Sequence, residues 1–141
     1  MESEIVVDGD LMVFEPLFGN RIVTILVPPI IRGSGHALVD AKKVCVKGDQ
    51  DQVKLNASYI TNSHTVPGTG IVTIKSLDSS QISPICNSIG SVIKIGNNSF
   101  IACFTPSVPA MLPPPVSAPE PASPSYGKGK FIPSQRYVRT M

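Results

Sequence analysis

Apolar residues come in short runs along the first three-quarters of the chain, each closed by Gly, Pro, Asn or Asp. Glu4–Val7, Leu11–Phe14 and Ile22–Val27 are bounded by Asp8-Gly9-Asp10, by Phe18-Gly19-Asn20 and by Pro28-Pro29. Val44–Val46 and Val53–Ala57 lie on either side of Gly48-Asp49, and the stretch from Ile71 to Lys75 alternates. Runs of this kind, rich in Val and Ile and punctuated by turn residues, predict strands. Ser91–Ile95 and Ser99–Phe104 surround Gly96-Asn97-Asn98 and predict a hairpin. No stretch keeps a helical period free of Gly and Pro. Only the Asp78–Ser83 segment suits a single helical turn, with Gln81 placed three residues after Asp78 to complete a capping box.

The expected fold class is therefore all-β: a small cone- or barrel-like body of short stacked β-hairpins, turning sharply at its many glycines. A loose internal echo supports stacking. Residues 33–49 (GSGHALVDAKKVCVKGD), 70–80 (GIVTIKSLDSS) and 88–104 (SIGSVIKIGNNSFIACF) each run from Gly through an apolar-x-apolar stretch to a turn.

Proline divides the chain. Of its 14 prolines, five precede residue 106 and nine lie within residues 106–141. Because proline lacks a donor and locks φ, residues 106–141 are expected to form neither helix nor central strand, but a proline-rich extension to a 1–105 body. The extension is too short and too proline-rich for a core of its own. Near its end Phe131, Ile132, Tyr137 and Val138 return apolar bulk. FIPS (131–134) and YV (137–138) are expected to dock as an extended strand, on the body or a partner, tethered by a flexible SYGKGK (125–130).

Composition narrows the function. Hydrophobic residues make up 42% and charged residues 16%, with no Trp, so Val, Ile and Leu must build the core. The net charge of +2 is spread out, locally basic only at Lys128, Lys130, Arg136 and Arg139, which gives no nucleic-acid footprint. The acidic start MESEIVVDGD is unlike a signal peptide. The longest apolar run, Ile22 to Ile31, is cut by Pro28-Pro29 and falls short of a bilayer span. A cytoplasmic protein, exported if at all without a signal peptide, is expected. Three cysteines, an odd number, do not suggest a disulfide framework.

The residues able to carry chemistry are His36, His64, Cys45, Cys86 and Cys103. A mixed His and Cys set suits tetrahedral zinc, though no pair has knuckle spacing, so only tertiary folding could assemble a site. The plainer reading is two turn histidines and cysteines serving as small core hydrophobes. In a strand, Lys43, Cys45 and Lys47 share one face, and Val44 and Val46 the other. This places Cys45 outside, between two lysines, unless a bulge intervenes. A thiol nucleophile at Cys45 or Cys103, with His36 or His64 and Asp40 or Asp49, can be drawn in principle. No nucleophile elbow, zinc-protease or phosphate-loop motif accompanies it, and GSGHALV lacks dinucleotide spacing. The chain is expected not to be an enzyme.

The stretch GHALVDAKKVCVKGD (35–49), with His64, GTGIVTI (68–74) and GSVIKIGNNSF (90–100), resembles the PAAR and PAAR-like spike-tip proteins of type VI secretion and related contractile injection systems. Val46-Lys47-Gly48-Asp49 stands where that family's repeat ends, and the likeness covers roughly residues 33–105. The resemblance implies a cone of stacked hairpins whose base caps a trimeric, VgrG-like spike. It also implies a tip often braced by zinc on three His and one Cys, extensions that carry or recruit an effector, and only transient contact with a membrane during puncture. Two departures qualify it. Lys42-Lys43-Val44-Cys45 replaces the Pro-Ala-Ala-Arg tetrapeptide, and two histidines cannot supply a three-His set. Zinc would then be held by His36, His64 and two cysteines, or be absent. The alternative is a β-barrel or β-sandwich adaptor or chaperone that binds a protein partner through its proline-rich tail.

Overall fold

In a computed structural model, which describes residues 3–39, 41–87, 90–135 and 138–140 and no side chains of 84–87, the protein is all-β with two short 3-10 turns. The strands are β1 (Ser3–Glu4), β2 (Leu11–Phe14), β3 (Leu17–Phe18), β4 (Arg21–Ile25), β5 (Leu38–Val39), β6 (Lys42–Lys43) and β7 (Lys54–Ile60). They continue as β8 (Gly68–Ser76), β9 (Ile82–Asn87), β10 (Ser91–Ile93), β11 (Phe100–Val108), β12 (Ser125–Ile132) and β13 (Arg139–Thr140).

Seven strands form one curled antiparallel sheet in the order β2-β12-β11-β8-β7-β4-β3. Alternation decides its faces. Leu55, Ala57 and Tyr59 of β7, Val72 and Ile74 of β8, and Phe100, Ala102 and Phe104 of β11 point inward and are buried. With Met12, Phe18 and Phe131 they build the main core. Aromatic rings interlock there edge to face, Tyr59 on Phe104 at 4.9 Å and Phe14 on Phe100 at 5.5 Å. Gly127 and Gly129 on β12 make room for them. A Cβ on Gly129 would lie 2.8 Å from the Phe100 ring, and one on Gly127 3.0 Å from Phe18. The glycines that looked like a flexible tether are the floor beneath two core rings.

The proline-rich division is thus redrawn. β11 passes through residue 106 without a break, with Pro106 opposite Gly70 of β8. Its pairing to β12 ends at Phe104, so Pro106 sits where β11 is paired on one side only and a missing donor costs nothing. Ser125–Ile132 contains no proline and forms an interior strand between β11 and β2. Phe131 is a core residue and Ile132 pairs with Leu11. Tyr137, expected to dock beside them, lies outside the described residues.

Between β11 and β12 the proline-rich segment forms an irregular strap, bridged from Val66 to Met111 and from Met111 to Pro119. One buried network clamps it. Arg21, 2% exposed, donates from Nε and Nη2 to the two carboxylate oxygens of Glu120, both at 3.1 Å. Arg21 also donates to the carbonyls of Pro121 and Ser123, and its guanidinium lies over the rings of Tyr59 and Phe104. The Tyr59 hydroxyl donates to Glu120 at 2.9 Å and accepts from the Ala110 N–H. Burial, reinforced by the Glu120 carboxylate, holds the phenol proton on by raising its pKa.

The expected Gly-Asn-Asn hairpin does not form. Gly96 does turn the chain, with φ of 73°, but β10 pairs with β9 while β11 joins the large sheet. The turn therefore links two sheets. The single helical turn is present at Ser79–Gln81, and Asp78 and Gln81 complete the capping box.

Candidate functional site

Three short stretches, 4–10 (EIVVDGD), 43–49 (KVCVKGD) and 91–97 (SVIKIGN), come together and pair with one another in a closed ring. At its centre the Val6 N–H donates to the Ile93 carbonyl, Ile93 N–H to Cys45, and Cys45 N–H to Val6, each at 2.9 Å. A second ring repeats the pattern two residues out. Asp8 N–H donates to Lys43, Lys47 N–H to Ser91, and Ile95 N–H to Glu4, at 2.7, 2.7 and 2.9 Å. Each stretch pairs antiparallel with one neighbour through its first half and with the other through its second. Isolated bridges Val7–Val44, Val46–Val92 and Ile5–Lys94 mark the three pairings. Closure leaves no open edge. The arrangement has pseudo-three-fold symmetry within a single chain.

Local chemistry follows the same symmetry. Gly9, Gly48 and Gly96 hold equivalent positions, and all have positive φ, 85°, 113° and 73°, where a side chain would strain the turn. After the first two, Asp10 and Asp49 fold back to accept the N–H groups of Val7 and Val46 at 2.9 and 2.8 Å. In the third unit Asn97 stands there, and the Gln81 carbonyl accepts the Lys94 N–H instead. Val6, Cys45 and Ile93 face the main core. Ile5, Val7, Val44, Val46 and Val92 face the other way into a second, smaller cluster. The sixth equivalent position is Lys94, only 8% exposed, and it is the chief break in the symmetry.

An outer strand backs each inner one: β5 on β6, β9 on β10 and β13 on β1. The third hairpin joins the two ends of the described chain. Gln135 fastens it, donating to the carbonyls of Ile5 and Val138 and accepting the Val138 N–H. Arg139 pairs with Glu4, and Thr140 bonds Ser83 of the neighbouring hairpin. The unit thus caps one side of the core whose other wall is the large sheet.

A protein-family model described as "Contractile injection system spike tip protein" matches residues 1–141. The chain belongs to this family of spike-tip proteins. None of the curated proteins compared matches it. Membership in the spike-tip family makes it a structural part of an injection machine, with a spike or another machine component as partner. No helix among the described residues is long and apolar enough to cross a membrane.

The structure describes four of the five sequence-predicted metal candidates in this spike-tip protein: His36, His64, Cys45 and Cys103. Among the described residues no group of three or more His, Cys, Asp or Glu is placed to hold a metal ion. His36 is an exposed residue before β5, while His64 lies in the turn after β7 with its Nδ1 3.0 Å from Ser63 Oγ. Cys103 lies on β11, opposite Tyr126 and Thr73. The side chain of Cys86 lies outside the described residues. Cys45 is fully buried at the centre of the ring. Its outward placement between lysines is corrected: Lys43 and Lys47 do diverge into solvent, but the face they share with Cys45 meets the main core at its middle. Burial pushes the Cys45 thiol far above its ordinary range, and the carboxylates of Asp49, Asp10 and Asp8 push it the same way. A thiol buried in a closed apolar core has the setting of a structural cysteine.

The internal echo is corrected as well. The units at 33–49 and 88–104 do hold two of the three equivalent strands, but 70–80 runs along β8 of the large sheet as far as Ser76 and ends in the 3-10 turn. The third unit is the N-terminal EIVVDGD. Its signal, apolar-apolar-apolar followed by Asp-Gly-Asp, was present but lacked the preceding outer strand, which comes from the far end of the chain.

Proposed function

We propose that the pseudo-three-fold unit seats this protein as a single copy on the blunt end of a trimeric, VgrG-like spike, as a non-enzymatic tip that leads the spike into a target membrane and carries an effector where one is attached. The closed ring of three equivalent strands carries the reading. A three-fold spike end offers three identical surfaces around its axis. A single chain can meet all three alike only if it repeats its own contacts three times. The three equivalent turns at Gly9, Gly48 and Gly96 supply such a repeat. Family membership supplies the partner class.

The ring end of the molecule, and not the outward face of the large sheet, then meets the spike. Leu38 on β5 is 62% exposed beside the ring, whereas Ile132 on β12 is 42% exposed on the outward face of the large sheet. A photo-cross-linking side chain placed at either position, in the full chain mixed with the spike of the same machine, distinguishes them. Position 38 is expected to give covalent adducts with the spike and position 132 none. Adducts from 132 but not from 38 would contradict the assignment.

A further inference from the structure

The outward face of β12 alternates Tyr126, Lys128, Lys130 and Ile132, all exposed. Its neighbours continue the pattern. Val13 and Leu11 of β2 stand opposite Lys130 and Ile132, at 44% and 49% exposure. On the other side Lys75 of β8 lies with its Nζ 4.9 Å from the centre of the Tyr126 ring. No outward strand position of β2, β12, β11 or β8 carries a carboxylate. Glu15, one residue past the end of β2 and exposed, continues the alternation of Leu11 and Val13, and its N–H donates to the Lys128 carbonyl. Three lysines, Lys75, Lys128 and Lys130, against this one flanking carboxylate leave the face net positive.

We propose that this face docks on the surface of an anionic lipid bilayer. The proposal deepens the reading that the tip meets a membrane, naming the face and the lipid class. Long-stemmed lysines set among half-exposed aliphatic side chains and one tyrosine are the chemistry of an interfacial lipid contact. The stems and aliphatics enter the acyl boundary, the ammonium groups stay with the phosphates, and the phenol sits at headgroup level. A lipid surface requires no shape match across these strands, only negative charge and an apolar layer behind it. The ring of equivalent strands caps another side of the core, so the face stays free when a spike is bound there.

The test uses the full-length protein alone, co-sedimented with vesicles of phosphatidylcholine, either pure or mixed with phosphatidylglycerol. Binding to the mixed vesicles, absent from the neutral ones and released by high salt, is the expected result. The K128E/K130E variant should keep its melting temperature and its spike cross-link from position 38, and lose roughly tenfold or more in vesicle affinity. Equal binding to both kinds of vesicle, or undiminished binding by K128E/K130E, overturns the proposal. No binding to either overturns it too, and leaves an acidic protein surface as the alternative occupant. Because no spike enters the vesicle assay, its failure leaves the capping reading untouched.

Discussion

Replacing Glu120 with alanine is expected to lower the melting temperature by about 10 °C. The Arg21 guanidinium would then sit 2% exposed with no counter-charge, and the Tyr59 hydroxyl would lose its acceptor. Removing one member of a buried ion pair costs roughly 3–5 kcal/mol, because the remaining charge stays desolvated. For a domain of this size each kcal/mol moves the midpoint by roughly 3 °C. Glu120→Gln should fall in between, since the amide oxygen can still accept from Arg21 but brings no charge. Both variants should also free the strap around Pro109–Pro124, which the network ties to β4 and β7. Differential scanning calorimetry with limited proteolysis of the strap measures both effects. A midpoint within about 2 °C of wild type for Glu120→Ala would mean that the ion pair does not clamp the strap.

Deleting residues 133–141 is expected to abolish spike binding while leaving a folded sheet. The deletion removes β13, the Gln135 side chain that holds the Ile5 and Val138 carbonyls, and the Thr140–Ser83 contact. One of three equivalent hairpins loses its outer strand, and Ile5 of the small cluster loses its cover. The sheet retains β12, which ends at Ile132. Losing several buried hydrogen bonds at about 1 kcal/mol each should lower stability without unfolding the core. Circular dichroism and a spike pull-down read the two outcomes separately. A truncated chain that still binds the spike as the full chain does would show that the third hairpin has no part in docking.

Local signals in the sequence were reliable where structure is local. β2 begins and ends as its apolar run does, and Asp78 with Gln81 caps its turn because both partners lie within three residues. Failures came where tertiary context decided. Ser125–Ile132 was hidden by its proline-rich surroundings, although it contains no proline and its glycines are there to admit Phe18 and Phe100. Cys45 was misplaced because alternation identifies the two faces of a strand but cannot reveal that both are buried, one in each cluster. Two of the three ring strands were visible as an echo. The third was not, because its outer partner lies at the opposite terminus and no local pattern joins Glu4 to Arg139. The Arg21–Glu120 pair, 99 residues apart, left no sequence signal at all.

One chain, through its three equivalent strands, is expected to cap one three-fold spike. Native mass spectrometry of the complex, formed by co-expression of the full chain with the spike of its own machine, tests this most directly. The expected mass is that of three spike chains and a single tip, with no species carrying more. Three tips per trimer, or a tip that stays unbound beside an assembled spike, would contradict it.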